Sequence, residues 1–321
     1  MKLKEDLISK LKIGQFSPII FGEVSMDVWD RKIEAREDFD LFFNSELLKY
    51  EQEYFQINSP PLAFIIKNFN SISLFKCYLS DESIFLFPLC FSDSFDYKKG
   101  IKVSKIISSY FKNSSFKIQF MNLPFTNNLT NHFKLQIQFT GVLKPSLEMY
   151  VDLNSEDLWG ALRKSYRSLI NFGKKNLKVV SEFNTDLWDE CNEFHFKIAG
   201  RKTRNKSTWN IQKNMIEKNI AKIFYIREEG KILGFALFNI AKCSASYSVG
   251  VYDRSKFDKI SISHIILWHA IQYFKSNGLD NIYLGEYAPE KNMNDKKLDN
   301  INHFKLGFCN NLVSNNYLSN E

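Results

Sequence analysis

The chain has 321 residues, 44% of them apolar and 15% aromatic, and a formal net charge of +7. Such a length accommodates two domains of ordinary size, and such a composition excludes a disordered chain. No stretch comes near the roughly 20 apolar residues that cross a bilayer, and Lys10 and Lys12 interrupt the first apolar run where a secretory signal would be continuous, so a cytoplasmic protein is expected.

Leu3, Leu7, Ile8 and Leu11 have helical spacing, and a second helix is predicted from about Asp38 to Phe55, ended by Pro60-Pro61. Strand-like runs follow at Leu62 to Phe69, Ser73 to Leu79, Ile84 to Phe91, Phe116 to Asn122, Lys134 to Phe139 and Leu147 to Leu153, with a helix from Val103 to Phe111 among them. Asn154-Ser155-Glu156-Asp157 suits a helix start, and one helix carrying Leu158, Trp159, Leu162, Tyr166, Leu169 and Ile170 is predicted behind it, then a short strand from Lys178 to Phe183. Helices at about Leu187 to Ala199 and Trp209 to Lys218 lead into three strands, Ala221 to Glu228, Ile232 to Ile240 and Ser244 to Tyr252, the first two joined by a tight turn at Glu229-Gly230. A helix from about Ser261 to Ser276, stopped by Asn277-Gly278, crosses to a last strand, Asn281 to Glu286. A helical crossover of this kind makes the pair it joins parallel.

The charge is unevenly spread. Between Arg163 and Lys213 stand twelve basic residues against five acidic ones, an excess equal to that of the whole chain. A negatively charged partner near these segments is expected. The five cysteines, Cys77, Cys90, Cys191, Cys243 and Cys309, form no Cys-x-x-Cys pair, and the five histidines form no chelating pair, so neither a disulfide framework nor a bound metal is expected.

The order α-α-β-β-β-α-β resembles the GNAT acyltransferase core, in which acyl donor and amine meet where two neighbouring strands splay apart. Narrower features are similar to the Fem family of aminoacyl and peptidyl transferases. These are Val151-Asp152-Leu153 leading to Leu158-Trp159 and Leu162-Arg163-Lys164-Ser165-Tyr166-Arg167, and His303-Phe304-Lys305-Leu306-Gly307-Phe308, which resembles that family's Phe-Lys-x-Gly-Phe segment. The resemblance implies an α/β (α+β) chain of two tandem GNAT-like halves around mixed sheets, a degenerate first half over 1–150 and an acyltransferase domain over 151–321. It also implies no tightly bound cofactor, with aminoacyl-tRNA or acyl-CoA as co-substrate.

Several residues could carry the chemistry. Attack of an amine on an ester or thioester carbonyl builds negative charge on oxygen, which a fixed cation stabilises. The resemblance gives that role to Lys305, beside Phe304 at the substrate; on spacing alone Lys305 would be a solvated lysine between two aromatics. Arg163, Lys164 and Arg167 share one helical turn and a little more, so two of them can grip one phosphate, or they form an ordinary solvated basic face. Arg201, Arg204 and Trp209 lie in a basic loop that GNAT domains place over the acceptor. The arginines can hold a diphosphate or carboxylate bidentately while Trp209 stacks on a base or sugar; the plainer reading makes Trp209 the apolar start of a helix. Lys256, Lys259 and Ser261 occupy the place of the CoA pyrophosphate loop, but Phe257 and Lys259 stand where its glycines would be. That departure argues against ordinary acetyl-CoA binding, while the lysines and the helix start can still hold an anion. Glu286, Tyr247, His303 and His195 are candidates for removing the amine proton, Glu286 favoured by its place at the end of a strand, and Tyr247 is also expected to touch substrate.

An N-acyltransferase acting on an amine of a phosphate-bearing acceptor is therefore expected, the acceptor being a nucleotide-linked amino sugar or cell-envelope precursor and tRNA a candidate donor. The alternative is a catalytically silent GNAT-fold module that binds RNA or an anionic glycan through the same basic surface.

Overall fold

The computed structural model describes residues 2–34, 44–54, 62–68, 71–79, 84–90, 97–111, 116–120, 142–241, 243–253, 255, 261–287 and 296–319. The chain forms two compact units, Met1–Leu147 with Val313–Glu321, and Glu148–Leu312. No strand is predicted after Asn281 to Glu286, whereas the chain carries one over Asn311–Ser319, which from Val313 on belongs to the first unit.

In the first unit α1 (Lys2–Ile13), β1 (Pro18–Ile20), α2 (Met26–Glu34) and α3 (Ser45–Tyr54) precede β2 (Leu62–Asn68), β3 (Ser71–Leu79) and β4 (Ile84–Cys90), and α4 (Tyr97–Phe111) crosses to β5 (Phe116–Phe120). The strands run β1-β2-β3-β4-β5, antiparallel except for β4 and β5, which are parallel. The far side of β5 is taken by the end of β12 (Asn311–Ser319), antiparallel to it. Leu7, Leu11, Trp29, Ile33 and Leu48 form the buried faces of the first three helices. Helix α2 has no counterpart among the predicted elements, and the predicted strand Lys134 to Phe139 lies outside the described residues.

The second unit repeats this order. After β6 (Val142–Asp152) come α5 (Leu158–Ala161), α6 (Lys164–Asn176), β7 (Val179–Val180), α7 (Thr185–Ala199), α8 (Lys206–Glu217), β8 (Ala221–Glu228), β9 (Lys231–Ile240), β10 (Ser244–Tyr252), α9 (Ile262–Ser276), β11 (Asn281–Tyr287) and α10 (Lys296–Leu306). Its strands run β6-β11-β10-β9-β8-β7, with β10 and β11 parallel and the β7, β8, β9 and β10 neighbours antiparallel.

The local causes are legible. Strand β9 is buried from Ile232 to Asn239, as an unbroken apolar run at the centre of a covered sheet should be. The β8–β9 turn puts Glu229 at φ 49° and Gly230 at φ 77°, the left-handed pair that matches a right-twisted hairpin. Asn184 caps α7 by accepting the N–H of Leu187 at 2.7 Å, and Gly200 ends it at φ 68°. Helix α9 is apolar nearly all round and is buried along Ile262, Ile265, Ile266, Leu267, Ala270, Ile271 and Phe274, where it packs with α6 against the sheet.

The single helix predicted from Leu158 breaks in two. Leu162 and Arg163 are extended at ψ 145° and 132°. The break has an identifiable cause: the Arg163 N–H leaves the helix to donate to Gly307 O at 3.0 Å, while the Arg167 guanidinium donates to the carbonyls of Gly160 and Leu162 freed at the junction.

Candidate active site

Strands β10 and β11 begin paired and then part. Their register holds only for Ser244 with Asn281, Ala245 with Ile282, and Ser246 with Tyr283, although β10 continues to Tyr252 and β11 to Tyr287. On the other side β10 keeps its partner β9 through a bulge between Tyr247 and Val249. A gap therefore opens after Ser246, bordered by Tyr247 on one strand and by Gly285 and Glu286 on the other.

Lys305, on the last turn of α10, reaches this gap. Its Nζ lies 5.7 Å from the centre of the Tyr247 ring, and a Cβ placed on Gly285 would come within 2.9 Å of it. Gly285 has a φ of 117°, open to glycine and strained for other residues, so both the backbone and the ammonium favour the absence of a side chain there. Burial pushes the Lys305 pKa down to about 8 against the opposing pull of the Glu148 carboxylate. At neutral pH Lys305 remains mostly a cation, held in surroundings where a cation acts more strongly than in water.

Tyr247 is bound to Tyr252 through their hydroxyls at 2.7 Å. Burial drives the Tyr247 pKa up to about 12 and that of Tyr252 well above its ordinary value. Both phenols hold their protons at neutral pH, so Tyr247 can present a ring to the lysine and donate a hydrogen bond, but it is no base.

The Phe-Lys-x-Gly-Phe segment is held by an aromatic nest. Tyr166 packs edge-on against His264 at 4.4 Å and beside Phe308 at 5.1 Å, and Phe304 meets His264 at 5.2 Å. The Tyr166 hydroxyl donates to the carbonyls of His303 and Phe304 at 3.4 and 3.3 Å, and Arg163 lies over the Tyr166 ring at 5.1 Å. Burial, with the nearby Arg163 charge, lowers the His264 pKa to about 4, so the imidazole is neutral in this nest. A Cβ on Gly307 would fall 2.1 Å from the Tyr166 ring, which is the physical reason for glycine in the motif.

The structure thus brings Lys305, Tyr247, Phe304 and Arg163 into one neighbourhood, with Glu286 half-buried beside Gly285 on β11. Other expected residues are placed differently. The Arg167 guanidinium is engaged with main-chain carbonyls, and it latches α5 to α6 rather than pointing toward a phosphate. Trp209 is 4% exposed and packs between Trp188 and His195 at 5.1 and 5.3 Å, with its carbonyl accepting from Trp188 Nε1; buried in the α7–α8 contact, it offers no face for stacking. Arg204 reaches Gln212 at 3.3 Å, and Arg201 is exposed. Burial, and then the Arg204 charge, lower the pKa of His195, which sits on this same corner. Ser261 donates its hydroxyl to Leu169 O at 2.6 Å, tying the start of α9 to α6 in place of binding an anion. Lys256 and Lys259 lie outside the described residues. Among the described residues no cluster of potential metal ligands occurs, and no helix is long and apolar enough to cross a membrane.

Sequence reasoning missed Glu148, Tyr252 and His264 and gave Gly285 no role. Signals existed for two of them: a lone acid inside the apolar run Leu147-Glu148-Met149-Tyr150, and a lone glycine inside a strand, which marks a close approach.

Comparison with known proteins places this geometry. Neither family models nor curated sequences match the chain, but solved structures do. FemX superposes with a TM-score of 0.65 at 12% identity, over 95% of this chain and 98% of that one. The chain has the fold of FemX. L-PGS from Bacillus licheniformis matches with a TM-score of 0.60 at 15% identity, over 92% of this chain and 90% of its own. The C-terminal domain of a putative lysylphosphatidylglycerol synthetase from Agrobacterium fabrum gives 0.59 at 11% identity, over 92% and 91%. The strand splay, the element order and the terminal Phe-Lys segment occur together in the second unit of this chain.

Proposed function

We propose that the chain is an N-acyltransferase that moves an acyl or aminoacyl group from an activated donor, aminoacyl-tRNA or acyl-CoA, to an amine of a phosphate-bearing acceptor in the cytoplasm. One observation carries this reading: the Lys305 ammonium stands in the gap between β10 and β11, partly desolvated and fixed against Gly285 and the Tyr247 ring. Attack of the amine converts the donor carbonyl to a tetrahedral oxyanion, and a cation held at that point stabilises it without reorganising at the moment of reaction. Tyr247, protonated at neutral pH, can donate a second hydrogen bond there or orient the lysine. The amine proton passes to Glu286 or to a basic group of the substrate itself, and collapse of the intermediate expels the alcohol or thiol of the donor. The acceptor in this reading is a nucleotide-linked amino sugar or cell-envelope precursor, and Arg163, whose guanidinium lies over the Tyr166 ring beside the Phe-Lys segment, is the arginine assigned to its phosphate. The reading also accords with the name of one structural relative, the C-terminal domain of a protein described as a putative lysylphosphatidylglycerol synthetase.

Incubation with acyl-CoA or charged tRNA and a panel of amino sugars, followed by mass spectrometry for the added acyl mass, tests the reaction. Replacing Lys305 with Ala in a folded protein is expected to lower turnover by about 10²–10³-fold, as loss of one oxyanion donor does; unchanged turnover would remove Lys305 from the chemistry.

A second reading has its own observation. Lys164, Lys175, Lys178, Arg201, Lys202 and Lys206 are all exposed, a surface suited to RNA or an anionic glycan without any reaction. It predicts binding that weakens steeply with salt, and no acylated product with either donor.

A further inference from the structure

The buried ammonium of Lys305 raises the question of what keeps it charged, and the answer lies on a strand far from it in sequence. Leu153 donates its N–H to Asp280 O at 2.8 Å, and the rings of Tyr150 and Tyr283 lie 5.2 Å apart. Together these contacts set β6 against β11 in an antiparallel register. Two residues further along that register, Glu148 stands opposite Gly285, the residue against which Lys305 Nζ rests. Glu148 is 0% exposed, and a carboxylate so enclosed is costly unless an opposite charge answers it.

We propose that Glu148 is a positioning residue for Lys305: its buried carboxylate, set opposite Gly285 across the β6–β11 pair, holds the Lys305 side chain as an ammonium at the mouth of the strand splay. Several other ionisable groups lie on the elements around the lysine: Tyr247 and Tyr252 on β10, Glu286 on β11, Arg163 and Tyr166 at the start of α6, and His303 on α10 itself. The two tyrosines of β10 are neutral at ordinary pH and Arg163 would repel the ammonium, whereas Glu148 is the charge that acts on Lys305 and favours its protonated form. Gly285 completes the arrangement, because any side chain there would stand where the ammonium is. Without Glu148, burial alone would govern Lys305, which would shed its proton near neutral pH and lose the charge that an oxyanion needs.

The catalytic consequence rests on the acyl-transfer reading, but the test does not. The full chain is labelled with trace acetic anhydride across a range of pH, and the peptide containing Lys305 is quantified by mass spectrometry, since only the neutral amine reacts. In the wild type the labelling midpoint is expected near 8. In Glu148→Gln it is expected to fall by about one to three pH units, the usual effect of a close opposite charge, and in Glu148→Asp, which withdraws the carboxylate by one methylene, by less. If Glu148→Gln does not fold, Glu148→Asp decides. An unmoved midpoint in the folded variants overturns the pairing. Because labelling uses neither substrate of the proposed reaction, a failure to find acylated product, or full turnover in Lys305→Ala, would count against the catalytic reading while leaving this result standing.

Discussion

Replacing Gly307 with Ala is the most direct probe of how the Phe-Lys-x-Gly-Phe segment is held. Gly307 is not among the residues with positive φ, so its backbone accepts alanine, and entropy alone would favour the change by about 0.4–1 kcal/mol. Contact reverses the sign. The new methyl would lie 2.1, 2.5 and 2.8 Å from Cε2, Cζ and Cδ2 of Tyr166. That ring is 6% exposed and cannot retreat, with His264 at 4.4 Å, Phe308 at 5.1 Å and Arg163 over its face. Overpacking costs about 1–3 kcal/mol. Displacing the ring also weakens the hydroxyl's contacts with the carbonyls of His303 and Phe304, for about 1 kcal/mol more. After the entropic gain is subtracted, a net loss of about 1–3.5 kcal/mol is expected, or roughly 2–14 °C in the melting temperature of a unit of this size. Urea denaturation followed by tryptophan fluorescence measures it, Trp159 and Trp268 lying in the same core. Tyr166→Leu combined with Gly307→Ala should recover more than about 1 kcal/mol relative to the sum of the single changes. A loss below about 0.5 kcal/mol, or strict additivity in the double variant, would refute the steric account.

Three further outcomes follow from the same geometry. Because the Lys305 pKa lies near 8 instead of 10.5, its charge is present below that value and lost above it; the acyl-transfer rate, once a substrate is in hand, should decline as pH rises through about 8, and a rate independent of pH up to 10 would count against a cationic role. His264 is neutral in the fold with its pKa depressed from 6.5 to about 4, so its contribution is intact above 6.5 and is lost as pH falls toward 4. The difference amounts to about 3 kcal/mol, and chemical denaturation at stepped pH should show that loss reduced in His264→Gln. Arg167→Ala should destabilise the α5–α6 junction by about 1.5–3 kcal/mol, the range for hydrogen bonds from a charged group, while leaving the affinity for an anionic acceptor within about twofold; a large drop in affinity with unchanged stability would return Arg167 to the binding surface.

Much of the fold could be read in advance because its elements are locally self-consistent. The unbroken apolar run of β9, the Glu229-Gly230 turn and the apolar α9 ended at Asn277-Gly278 all point the same way. The break between α5 and α6 was not legible, since its cause is a partner, Gly307 O, that arrives from the far end of the chain. Trp209 and Arg167 show the converse limit. Each is of a residue type that binds ligands, and each is occupied by neighbours: Trp209 by the rings of Trp188 and His195, Arg167 by two carbonyls left over from a helix that stops early. Residue type told what these side chains can do, and only packing told what they are already doing.

The repetition of one element order in both units bears on why Glu148 was missed. In the second unit the strand beside β11 comes from upstream: β6 precedes α5 and every other element of its sheet. The strand that follows α10 instead pairs with β5 of the first unit. The first unit therefore takes in a strand from the far end of the chain, whereas the second takes β6 from just ahead of its own helices. The acid facing Gly285 is supplied by a segment that no local motif connects to the Phe-Lys segment. Spacing rules find partners that share a helix turn or a hairpin; they cannot find a pair formed between strands far apart in the sequence. Lys305 could be singled out from its own motif, whereas the charge that keeps it useful became visible only when the register of β6 against β11 was known.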